Sequence, residues 1–126
     1  MIYLQIWADA QGESHLRELR PDFEAKEDYA QGVPPVGQSS PTSAGETYFL
    51  QLSQGWTGDF HPAPARQFVV QVEGSLEVTM SDGTTLTTGP GTVWLVEDTS
   101  GKGHRTKVIG EGDAILMVVT APAAAP

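Results

Sequence analysis

The stretch "HPAPARQFVVQVEG" (His61–Gly74) places a histidine and an amide where chemistry is possible. From His61 the alternation puts Ala63, Ala65, Gln67, Val69 and Gln71 on one face, because successive side chains of a strand point to opposite sides. A half-buried strand normally shows only apolar groups on its inner face. This face is therefore either a ligand-binding or catalytic surface, or an ordinary polar surface whose core lies on the other side. Pro62 and Pro64 lack backbone N–H groups and stiffen the entry to the strand, which suits a side chain that must be held in place. A second histidine, His104, closes the glycine-rich run "SGKGH", where the backbone can approach other groups closely. The third, His15, ends "GESH" near the N-terminus and reads as a surface residue.

The chain has no cysteine, which removes disulfides, thiolate zinc sites and a cysteine nucleophile together. With 16 acidic against 7 basic residues, its net charge is −9. Such a surface repels phosphate backbones and anionic membranes, so nucleic acid is not an expected partner. The N-terminus "MIYLQIWADA" lacks a basic region and a long apolar run, so no signal peptide is expected. No window approaches the roughly 18 apolar residues of a membrane span. A cytoplasmic protein with no membrane partner is the expectation. There is no Walker loop, since "SGKGH" lacks the spacing and the Ser/Thr, and no Gly-x-Ser-x-Gly elbow.

The elements that must carry these residues read as strands. At 126 residues the chain suits a single domain with one core. Residues 2–7, "IYLQIW", form a short strand. "SHLRELRPDFE" reads as a strand or irregular arm, because Pro21 would interrupt a helix. Residues 1–30 are taken together as an N-terminal strand and arm. Residues 31–45 hold three Gly, three Pro and three Ser with no period, and read as a loop or surface arm. Residues 46–120 are the expected barrel core. They comprise "TYFLQLS", "ARQFVVQVEGSLEVTM" with Gly74 near its middle, an "SDG" hairpin turn, "TTLTTGPGTVWLVED", "HRTKVI" and the apolar "AILMVVT". Residues 121–126, "APAAAP", read as a frayed tail. Threonine, valine and regularly spaced Gly/Pro turns indicate an all-β sandwich or barrel.

Two spacings resemble the signatures of the cupin superfamily. Gly55, "WTGDF", His61, Pro62, Ala63, "PAR", Gln67, "FVVQVE" and Gly74 follow its first motif: a glycine, His-x-His, a glutamate and a glycine at matching separations. Gly91, "TVWLV" and "EDTSGKGH" ending at His104 follow the second, with Glu97 in place of its proline and a longer loop. More narrowly, the chain is similar to small single-domain cupins carrying "HPAPxRQ" and "EDTTGKGHxT". The resemblance implies a jelly-roll β-barrel (a double-stranded β-helix), a pocket at its mouth and a homodimer. It also implies a divalent metal, iron, manganese, nickel or zinc. Of the four implied ligand positions, His61 and His104 keep histidine, Gln67 replaces glutamate and Ala63 replaces the second histidine.

The candidate catalytic residues are accordingly His61, His104 and Gln67, which are also the candidate metal ligands. Without metal, a histidine in a poorly solvated interior can serve as general acid or base while Gln67 holds a substrate oxygen. Glu97 or Asp98 is placed to orient His104. Tyr48, Trp56, Phe60, Trp94 and Glu97 are the expected pocket walls, suited to a small-molecule ligand. Arg66, opposite in parity to Gln67, is expected to face solvent or a subunit contact. Three functions remain open: an enzyme on a small organic substrate (a metal-dependent oxygenase, or a metal-free isomerase or lyase), a non-catalytic ligand-binding or sensor protein with a degenerate metal site, and an interaction protein.

Overall fold

The computed structural model describes residues 1–123. Its strands are β1 (Tyr3–Ala8), β2 (Ser14–Leu19), β3 (Glu24–Lys26), β4 (Val36–Gln38), β5 (Thr47–Leu52), β6 (Gln67–Glu73), β7 (Ser75–Met80), β8 (Thr85–Thr88), β9 (Val93–Val96), β10 (His104–Ile109) and β11 (Ala114–Thr120). Among the described residues there is no helix, and so none long and apolar enough to cross a membrane. The expected all-β class is what forms.

Six strands make a mixed sheet in the order β2-β1-β9-β6-β11-β5, in which only β1 and β9 run parallel. Three more make an antiparallel sheet, β10-β7-β8. Gly74 joins β6 in the first sheet to β7 in the second. Its φ is +83°, and a Cβ there would meet the Asp113 carbonyl oxygen at 2.6 Å. Only glycine tolerates that conformation and that approach, so the chain switches sheets where the sequence has its glycine.

Alternation does the rest. Val69, Trp94, Val96, Leu116 and Val118 face inward from the large sheet, and Leu76, Val78, Met80 and Val108 from the small one, forming one buried cluster between them. Gln71 lies on the same inward face and is fully buried. Its amide nitrogen donates to the carbonyls of Gly74 and Thr88, and its oxygen accepts from the Thr88 hydroxyl, so its burial leaves no polar group unmatched.

The strand hydrogen bonding does not close into a barrel: β2 and β5 end one sheet, and β10 and β8 end the other. Within residues 1–30, β1 lies inside the large sheet between β2 and β9 and buries Ile6 in the core. The 31–45 segment is not wholly irregular, because β4 pairs with β3. In the tail, Ala121 donates its N–H to the Arg66 carbonyl, and residues 124–126 lie outside the described residues.

Candidate functional site

His61 and His104 lie far apart in sequence, and backbone pairing brings them together. The segment from Trp56 to His61 runs along the free edge of β10. Val108 N–H donates to the Trp56 carbonyl at 2.8 Å and Gly58 N–H to the Thr106 carbonyl at 3.1 Å. At the end of this run His61 and His104 exchange both backbone hydrogen bonds, at 3.1 and 3.0 Å. Their rings stand edge to face, with centroids 5.2 Å apart. Gly103 makes the crossing possible: its φ is +83°, and a Cβ would fall 1.9 Å from the His61 carbonyl oxygen. The glycine expected to permit close approach permits this one.

His104 is 8% exposed. Its Nδ1 lies 2.7 Å from Oδ2 of Asp98, which is fully buried. A carboxylate only accepts, so Nδ1 carries a proton, and in the neutral ring Nε2 is the acceptor. Ser14 donates its hydroxyl to the same Oδ2 at 2.7 Å, from 84 residues away in sequence. The turn between β1 and β2 braces this arrangement. Ser14 N–H donates to the Ser81 hydroxyl, Ser81 donates to Glu13, and Glu13 pairs with Lys102. Of the two carboxylates weighed as partners for His104, Asp98 is the one in contact.

Gln67 opens β6, opposite Val96 of β9, two residues before Asp98. The start of β6, the end of β9 and the start of β10 thus meet at one end of the molecule, carrying Gln67, Asp98 and His104. Oε1 of Gln67 is buried and has no hydrogen-bond partner among the described residues.

These groups border a cavity of about 340 Å³ between the two sheets. His61, Gln67 and His104 all line it, together with Thr106, and so do Tyr48, Trp56 and Trp94. The remaining wall is aliphatic, including Ile6, Leu50, Val69, Leu76 and Val118.

Two expected wall residues lie elsewhere. Phe60 is 44% exposed and carries the Arg105 guanidinium 5.1 Å from its ring centre. Glu97 points to the outer face of the large sheet, because strand parity sends Val96 and Glu97 to opposite sides. There it accepts from Arg66 Nε at 2.7 Å and from the Gln5 amide. Arg66 accordingly serves an ion pair on that face. Sequence reasoning missed Ser14 and the aliphatic wall from β1, β5 and β11. No local signal marks Ser14 as a partner of Asp98, since only the fold joins them.

His15 is held differently. Its two ring nitrogens each lie 2.7 Å from a carboxylate, Nε2 from Asp9 and Nδ1 from Asp82. The bond to Asp9, reinforced by Asp82, raises its pKa above the ordinary 6.5. The bond from His15, together with the Glu13 amide, lowers that of Asp9. Among the described residues no group of three or more His, Asp or Glu side chains is arranged to hold a metal ion.

No protein-family model matches the chain, and no curated protein matches it. Among solved structures it is similar to protein NMB1881 from Neisseria meningitidis. The identity is 16% over 68% of this chain and 88% of that one, with a TM-score of 0.45, a likeness too slight to bear on function.

Proposed function

We propose that this protein is a cupin-type jelly roll that binds a small organic molecule between its sheets and acts on it by proton transfer through His104. The single observation behind this reading is a histidine with Nδ1 held by a buried aspartate, set in the wall of a mainly apolar cavity. Such a histidine has a fixed tautomer and a free Nε2, the arrangement a general base requires. Gln67 faces the same space and can hold a substrate oxygen as charge develops on it. Isomerisation, epimerisation or dehydration next to a carbonyl are the reactions that need only these groups. The family resemblance supports the same site, since its two motif segments supply the paired His61 and His104.

A resident divalent metal does not fit this donor set. Two neutral imidazoles and one amide leave the ion's charge uncompensated, Ala63 offers no ligand, and Asp98 is occupied by His104 and Ser14. No step is therefore routed through a metal. Elemental analysis of untagged protein checks this: near-stoichiometric iron, manganese, nickel or zinc, lost in both His61→Ala and His104→Ala, would replace proton transfer with oxygenase chemistry.

The direct test is hydrogen exchange. Cyclic ketones bearing a hydroxyl group are incubated with the protein in D2O, and loss of the α C–H signal is followed by NMR. Acceleration by the wild type that disappears in His104→Gln supports catalysis. Binding without exchange supports a non-catalytic ligand sensor instead. A homodimer belongs to the same proposal. The outer face of the large sheet leaves Phe49 68% and Val72 43% exposed, and light scattering on a size-exclusion column reads the oligomeric state.

A further inference from the structure

The composition of the cavity wall restricts what it can hold. Among the described residues its lining contains no lysine or arginine. The only groups there that can gain positive charge are two imidazoles, and His104 already faces the buried carboxylate of Asp98. A carboxylate or phosphate inside would be desolvated with no fixed counter-charge, which disfavours it. The protein's net charge of −9 adds to that barrier.

Among its polar side chains, Gln67 and His104 stand at the starts of β6 and β10. With Nδ1 bonded to Asp98, Nε2 of His104 is the acceptor of the neutral ring. Gln67 lines the cavity with its amide: Oε1 has essentially no accessible surface and no partner among the described residues, so the amide N–H is the group a ligand can reach. A hydroxyl is the neutral group that donates to one acceptor while accepting from an amide N–H. The rest of the lining, Tyr48, Trp56, Trp94 and aliphatic side chains, suits an apolar ring. A volume of about 340 Å³ takes roughly a dozen non-hydrogen atoms, the size of a one- or two-ring molecule.

We infer that the ligand is a neutral, mainly apolar ring compound carrying a hydroxyl group, seated with that hydroxyl between Gln67 and His104, and that carboxylates of the same shape are excluded. This rests on the small-molecule reading above and names its substrate class.

Three probes with one carbon skeleton separate the possibilities: 2-naphthol, 2-naphthoate and naphthalene, titrated calorimetrically at pH 8. There free imidazole is neutral and a phenolic hydroxyl keeps its proton. The expected order is 2-naphthol tightest, with naphthalene and 2-naphthoate each at least tenfold weaker. Gln67→Leu, with its fold checked by circular dichroism, is expected to bring 2-naphthol down to the affinity of naphthalene while leaving naphthalene unchanged. Naphthoate binding as tightly as naphthol would overturn the substrate class and leave the pocket reading standing. Equal binding of all three would remove the hydroxyl site. If none binds the folded wild type, the pocket reading fails and this inference fails with it.

Discussion

His104 and His15 both sit within 2.7 Å of aspartates, yet they are built for opposite tasks. His15 spends both ring nitrogens on carboxylates at the surface. It therefore holds its proton, and it ties the turn between β1 and β2 to the turn between β7 and β8. His104 spends one nitrogen on a buried carboxylate and keeps the other for the cavity. An imidazole gripped on both sides is a clamp; one gripped on a single side is available for chemistry. The two are linked through the same turn, because residues 13–15 supply Glu13 and Ser14 to the Asp98 side and His15 to the Asp9 and Asp82 side.

The strongest way to break this contrast is Gly103→Ala. A Cβ placed 1.9 Å from a backbone oxygen at positive φ must push the two histidine segments apart. We expect a loss of about 2–4 kcal/mol in urea unfolding, together with loss of ligand binding. Next is Asp98→Ala, which leaves Ser14 and the His104 ring without their shared acceptor. A loss of about 2–3 kcal/mol is expected, and exchange activity falls because the ring is no longer fixed. If Asp98→Ala retains full exchange activity, Asp98 does not set the His104 tautomer.

His15→Ala should behave differently, changing the pH dependence of stability rather than the cavity. The folded pKa of His15 is raised, so its stabilisation is complete below its ordinary value of 6.5 and is lost as pH rises through the higher folded value. Asp9 and Asp82 are lowered, so their share is present above 3.8 and is lost as pH falls through their folded values. The gap in melting temperature between wild type and His15→Ala is therefore expected to be widest between about pH 4 and 6.5 and to narrow on either side. A gap independent of pH would show that His15 acts by packing alone. The smallest effect is expected from Glu97→Gln. This residue neighbours Asp98 in sequence but sits on the outer face, paired with Arg66. Its loss should cost no more than about 1 kcal/mol and leave ligand binding unchanged.

How far the sequence could be read depended on the range of the interaction. Strands followed from local alternation and turn residues: "QFVVQVE" and "SLEVTM" became β6 and β7 with Gly74 as the corner, and "SDG" became the turn to β8. His61, Gln67 and His104 were legible as candidates because rigid or glycine-rich flanks and motif spacing single them out. Glu97 and Asp98 could not be separated, since adjacent residues differ only in the face they take, and that depends on where β9 ends. Phe60 was misplaced for a related reason. It lies in an extended segment outside the regular strands, where parity does not decide the direction of a side chain.

Taken alone, the sequence determined an all-β chain, its turn positions, its acidic surface and a short set of residues able to do chemistry, because each of these depends on neighbours a few positions away. Only the tertiary structure decided that the sheets stay open, that β1 belongs to the core, that Ser14 reaches Asp98, and that one histidine faces a cavity while another closes a clamp. Those outcomes rest on contacts between residues tens of positions apart, which form only when the sheets pack and the apolar faces leave water together.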